Sequence, residues 1–146
     1  KSHTWWASYI PSWFSTPTHR NAPNGANIRS MKVLEDGCVA ICGGAATGLI
    51  QTPNAFWPDP MSGDRYGGEY CAVLRTDLTN LTFSSYMPGC EGVSLGVWKK
   101  GLIVVSRSKG SDGVEKGPTA SPTVNALQAD FGGGTDAHIL VLQSPE

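Results

Sequence analysis

Hydrophobic and polar residues alternate with a period of two along much of this chain. Met31 and Val33 fall on one side of such a repeat, as do Leu95 and Val97. Val39 and Ile41 fall together, opposite Cys38, Ala40 and Cys42. Alternation of this kind predicts half-buried β-strands, because successive strand side chains point to opposite faces. Between these stretches lie Glu35-Asp36-Gly37 and Lys99-Lys100-Gly101, each a charged pair closed by glycine. They suit short hairpins, since glycine tolerates positive φ. No stretch carries helical spacing of useful length, so the expected fold class is all-β.

The strand patterns repeat. Thr4-Trp5-Trp6-Ala7-Ser8-Tyr9-Ile10-Pro11 parallels Leu81-Thr82-Phe83-Ser84-Ser85-Tyr86-Met87-Pro88, 77 positions on. Ser30–Ile41 parallels Ser94–Val105, 64 positions on. Thr52-Pro53-Asn54-Ala55-Phe56-Trp57 echoes Thr123-Val124-Asn125-Ala126-Leu127-Gln128, and Tyr66–Leu74 echoes Phe131–Leu142. Four matches in one order indicate duplication, with insertions in loops absorbing the drift in offset. With four strands per unit, A to D, the reading is a D strand near Trp5–Ile10, one full unit, and a final A-B-C. Four-stranded antiparallel units in series point to propeller blades. The expected partition is 1–27 as an outer strand and extended arm, 28–91 as one blade, and 92–146 as a blade lacking its own last strand. The N-terminal strand is offset so that it can complete a later blade.

The residues Asp36-Gly37-Cys38-Val39-Ala40-Ile41, Thr52–Phe56, Tyr66-Gly67-Gly68 before a strand, and Phe83-Ser84-Ser85-Tyr86 resemble bacterial β-propeller repeats of the SBBP type. The closest match is Phe131-Gly132-Gly133-Gly134-Thr135-Asp136-Ala137-His138-Ile139. The resemblance covers roughly residues 28–142 and the isolated strand at 5–11. It departs at Cys38 and Cys42, in the long loop 57–65, and in the eroded second Thr-Pro segment. It implies a secreted, cell-surface or periplasmic propeller, and the repeat carries no catalytic residues to transfer. Two blades do not close a ring of the usual about 4–8. Unpaired sheet edges favour association, so further copies of the chain or other protein subunits are expected to complete the propeller.

Composition narrows the functions. Eleven basic residues against twelve acidic ones leave a net charge near −1, which argues against a nucleic-acid groove or a polybasic membrane patch. Glycine and proline supply 28 of the 146 residues, as a turn-rich chain requires. No apolar run approaches the roughly 18 residues of a helical membrane span. The chain opens on Lys1 and its first methionine is Met31, so it is expected to be processed or part of something longer. Pro11–Ala26, with three prolines and little periodicity, reads as an arm that orders against a partner.

Candidate chemistry is sparse. Gly92-Val93-Ser94-Leu95-Gly96 fits the Gly-x-Ser-x-Gly elbow, with Asp112, Asp130, Asp136 and His138 following in hydrolase order. That chemistry needs a strand-to-helix turn, whereas the repeat puts Ser94 in a strand opposite Ser30. No catalytic residue is assigned and the chain is read as a non-enzyme. Cys38 and Cys42 lie on one strand, roughly 13 Å apart at about 3.3 Å per residue, beyond disulfide reach. Cys42, Cys71 and Cys90 fall at strand ends, with Cys42–Cys71 and Cys71–Cys90 as the candidate bridges and four free buried thiols as the other reading. No close Cys spacing marks a zinc site. The acidic turns Asp59–Asp64 and Gly110–Gly113 do not fit a calcium loop, so no metal or cofactor is expected. His3, His19 and His138 share no motif, and His138 is expected to be packed. Of the five tryptophans, Trp57 stands beside a polar loop. A sugar site would draw on Trp57, Asp59, Asp64, Arg65 and Tyr66, against a packing role for the ring. The leading expectation is a structural or interaction subunit. The alternatives are a carbohydrate-binding module and a piece of a larger secreted propeller protein.

Overall fold

A computed structural model describes residues 26–45, 49–57, 68–87, 90–99, 101–109 and 135–143. They form seven strands: β1 (Ser30–Val33), β2 (Val39–Ala45), β3 (Gly68–Leu74), β4 (Leu81–Met87), β5 (Cys90–Trp98), β6 (Gly101–Lys109) and β7 (Thr135–Gln143). The fold is all-β, with no helix among the described residues. Two antiparallel sheets, ordered β1-β2-β3-β4 and β5-β6-β7, place chain neighbours side by side. The N-terminal strand expected at Trp5–Ile10, the arm Pro11–Ala26 up to residue 25, and the second Thr-Pro segment lie outside the described residues.

The turns are those the charged pairs foretold. In the first hairpin the Leu34 N–H donates to the Cys38 carbonyl at 2.8 Å, leaving three loop residues that end on Gly37 at φ +81°. In the second, Trp98 pairs directly with Gly101, leaving two. This one-residue difference bears on the repeat expected from the sequence. With Met31 set against Leu95, as the sequence has it, the registers Met31↔Ile41 and Leu95↔Val104 put Ile41 against Val104. The ungapped sequence alignment puts it against Val105. A one-residue slip exchanges the two faces of a strand, so only the register identifies which residues correspond.

The first sheet is covered on its front face and, over β2 to β4, on its back face, while Met31 and Val33 leave the β1 part of the back face open. Its front face contributes Ala40, Cys42, Cys71 and Met87 to a core shared with Cys90, Val93, Leu95, Leu102 and Val104 of the second sheet. Its back face holds a separate cluster of Ile41, Ala45, Leu49, Tyr70, Ala72, Leu74 and Tyr86. Trp57 packs against both clusters. The segment 49–57 also occupies the outer edge of β4. The Ser84 N–H donates to Thr52 Oγ1 at 2.9 Å, and the Ser84 hydroxyl donates to the Ile50 carbonyl at 2.7 Å. The Leu49 N–H donates to the buried Tyr86 hydroxyl at 2.9 Å. These bonds supply β4 with the partners an edge strand otherwise lacks.

Candidate functional site

The second sheet is built differently. Its inner face, carrying Leu95, Leu102, Val104, Leu140 and Leu142, seats on the first sheet. Strand alternation sends Ile103, Val105, Ile139 and Val141 to the outer face. There Ile139 is 66% exposed, Val141 42% and Val105 41%. Trp98 continues the row at 49% exposure, with the Lys99 ammonium 4.7 Å from its ring centroid. Under the sequence alignment of Met31 with Leu95, this face is the counterpart of a covered one. Carrying Met31 onto Leu95 carries Ala40, Cys42, Cys71 and Val73 onto Ile103, Val105, Ile139 and Val141 in turn. All four first-sheet residues belong to the core that the second sheet covers or pack against it. The free edge of β7 has no strand partner among the described residues.

An open cavity of about 730 Å³ lies between the sheets at their hairpin end. Leu34, Val73, Phe83, Val97, Leu102 and Leu142 form its apolar lining, with Glu35, Asp36 and Lys99 also on its wall. Its size falls in the range of ligand clefts. Asn54, also on its wall, already donates to the Thr82 carbonyl at 3.5 Å.

The cysteines are four free thiols. Cys42 and Cys71 stand opposite each other in mid-strand rather than at strand ends, because β2 runs on to Ala45 and β3 begins at Gly68. Cys90 opens β5 instead of trailing β4. Burial pushes the Cys42 thiol up to about 11 and the Cys71 thiol up to about 12. Cys90 Sγ lies 3.6 Å from His138 Nδ1, and the Ser106 hydroxyl lies 3.4 Å from the same nitrogen. Such a cluster performs nucleophilic chemistry only as thiolate and imidazolium. Here burial raises the Cys90 thiol and lowers His138, so both groups are held neutral. The trio is a packed polar contact on the inner face. Sequence reasoning treated His138 as packed and missed its partners, which no spacing announces.

Ser94 is an exposed residue inside β5, paired with Val105, and no helix follows it. The geometry of a nucleophile elbow is therefore missing there. Of the sugar-site candidates, Trp57 is half-buried. Its backbone N–H donates to Ser85 Oγ at 3.1 Å and its ring meets Phe56 edge-on, with centroids 6.0 Å apart. Asp59, Asp64, Arg65 and Tyr66 lie outside the described residues. Among the described residues no group of three or more His, Cys, Asp or Glu side chains is arranged to hold a metal ion. No helix there is long and apolar enough to cross a membrane. No family model, no curated protein and no solved structure matches this chain.

Proposed function

We propose that this chain is a non-enzymatic structural subunit of a propeller-like assembly, in which a second copy covers the outer face of the second sheet. The observation that carries this reading is the correspondence of faces. Ile103, Val105, Ile139 and Val141 occupy the positions of Ala40, Cys42, Cys71 and Val73. In the first sheet those positions are covered by the sheet that follows in the chain. A sheet of the same repeat is therefore the natural cover for the last one.

The complementary surface supports a second copy as that cover. Met31 and Val33 of β1 are 59% and 63% exposed. Met31 corresponds to Leu95, which is seated on the first sheet and only 5% exposed. A copy docked front to back would cover Met31 as Leu95 is covered within the chain. Such a contact joins two different surfaces of one protomer, and it closes into a ring where the rotation between copies brings the last back onto the first.

Light scattering after size exclusion tests this on the whole chain. The expected result is an oligomer at micromolar concentration, and a monomer that keeps its β-sheet circular dichroism when Val105→Glu puts a charge on the outer face. A folded, monodisperse wild-type monomer at that concentration overturns the proposal. An assembly that needs a different protein replaces the second copy with that partner. In that case co-purification yields a two-component complex, and the isolated chain stays monomeric.

A further inference from the structure

We propose that Cys42 and Cys71 form a redox couple, able to close a cross-strand disulfide that ties β2 to β3. The inference is independent of the assembly reading.

The geometry is specific. Cys42 and Cys71 are direct partners in the β2–β3 register. The Cys42 carbonyl accepts the Arg29 N–H at 2.8 Å, and the Gly44 carbonyl accepts the Asn27 N–H at 2.8 Å. Both bonds run to the β1 side of β2. In an antiparallel strand the N–H and C=O of one residue point the same way, so Cys42 turns no backbone group toward β3. Cys42 and Cys71 are therefore a non-hydrogen-bonded pair, the closely spaced kind, with Cα atoms about 4.5 Å apart and side chains on one face. Disulfides span Cα separations of about 4.4–6.8 Å, so the bridge closes without moving either strand. The other cysteines lack this arrangement. Cys38 lies four residues from Cys42 along the chain, beyond β2's first residue, and Cys90 belongs to the second sheet.

The surroundings determine when the bond forms. Both thiols are fully buried in the folded chain. The thiolate is the reactive form, and burial disfavours it at both sites. Oxidation therefore belongs to the folding chain, while β2 and β3 have paired and the second sheet has not yet covered them. With glutathione disulfide as oxidant, the thiolate of one cysteine attacks it and releases one glutathione thiolate. The thiolate of the other then attacks the protein-bound sulfur and releases the second. One S–S bond forms in the protein and one breaks in the oxidant. Two protein thiols are oxidised, and one glutathione disulfide is reduced to two thiols. Once buried, the bridge is shielded from reductant by the same packing.

The bridge closes the chain from 42 to 71, a loop of about 30 residues whose freedom in the unfolded state it restricts. The experiment is refolding of the full chain in a glutathione redox buffer, followed by intact mass and a non-reducing peptide map. The expected product has lost the mass of two hydrogen atoms and yields a linked peptide pair containing Cys42 and Cys71. Cys38 and Cys90 remain alkylatable after denaturation, and the melting midpoint lies roughly 5–10 °C above that of the reduced form. A Cys38→Ala/Cys90→Ala chain, which keeps only the proposed couple, is expected to give the same mass loss. Four alkylatable thiols in the refolded, β-structured wild-type chain overturn the inference, as does a linked pair containing Cys38 or Cys90.

Discussion

The two sheets share one plan and differ in what covers them. The first is largely enclosed: its front face meets the second sheet, its back face carries the Tyr70 and Tyr86 cluster over β2 to β4, and segment 49–57 lies along its β4 edge, with only Met31 and Val33 of β1 left open on the back. The second is enclosed on one face only, with Ile139 and Val141 open to solvent on the other. Three of the four corresponding positions thus hold small residues where a neighbour sits within the chain, and larger aliphatic residues on the open face. Ala40, Cys42 and Cys71 give way to Ile103, Val105 and Ile139. An aliphatic face of this size is costly to leave in water, since each fully covered Val or Ile contributes about 1.5–3 kcal/mol.

A charge placed at corresponding positions separates the two environments most strongly. Cys71→Lys forces a long, charged side chain into a fully buried position of the front-face core, and loss of the cooperative unfolding transition is expected in thermal circular dichroism. Ile139→Lys, its counterpart, is expected to keep the transition and lose the assembly by size exclusion. Equal damage from both would show that the outer face is already covered within the chain.

Two glycines sharpen the comparison at smaller scale. A Cβ on Gly43 would overlap the Asn27 carbonyl of the strand's neighbour, so Gly43→Ala should cost about 1–3 kcal/mol in denaturant titration. A Cβ on Gly96 would find only the Ile103 Cβ, at 3.6 Å. Gly96→Ala is expected to change stability by less than about 0.5 kcal/mol.

The hairpins differ in the same way. Gly37 sits at φ +81°, and Lys99 adopts φ +52° without being a glycine. Gly37→Ala should cost about 1 kcal/mol, and Lys99→Asn should gain a few tenths, because asparagine visits the left-handed region more readily. Urea midpoints moving in opposite directions would check both.

The smallest effect is a pH dependence confined to the second sheet. Burial lowers His138 below its ordinary 6.5. At neutral pH the imidazole is uncharged in both states and the shift contributes nothing. As pH falls through 6.5 the unfolded chain takes up the proton first, so stability declines from there down to the lowered folded value. Its first-sheet counterpart, Tyr70, is pushed by burial up to about 12 and does not titrate in this window. His138→Gln should flatten the pH 5–7 slope of the melting midpoint, and an unchanged slope would assign the dependence to other groups.

Much of the local plan was legible in the residues. The alternation at Met31–Val33 and Val39–Ile41 announced strands, and the Glu35-Asp36-Gly37 and Lys99-Lys100-Gly101 turns announced their hairpins. The division of β2 into Val39 and Ile41 on one side and Ala40 and Cys42 on the other also matches the two clusters. The cavity and the Cys90–His138 contact were not legible, and the cysteines were legible only as two candidate pairs, Cys42–Cys71 and Cys71–Cys90, between which register chose. Each joins residues that no short spacing relates, 48 positions apart for Cys90 and His138. The alignment of Ser30–Ile41 with Ser94–Val105 cannot hold throughout without a gap, because one hairpin loop is a residue shorter.

The sequence alone determined an all-β chain of hairpin-linked antiparallel strands, since period-two patterning and glycine turns are local properties of the backbone. Tertiary structure decided which face of each sheet is covered, because alternation labels two faces without ranking them when both carry apolar residues. It also decided which cysteines meet, because cross-strand partners are set by register and loop length, quantities that exist only once the strands have paired.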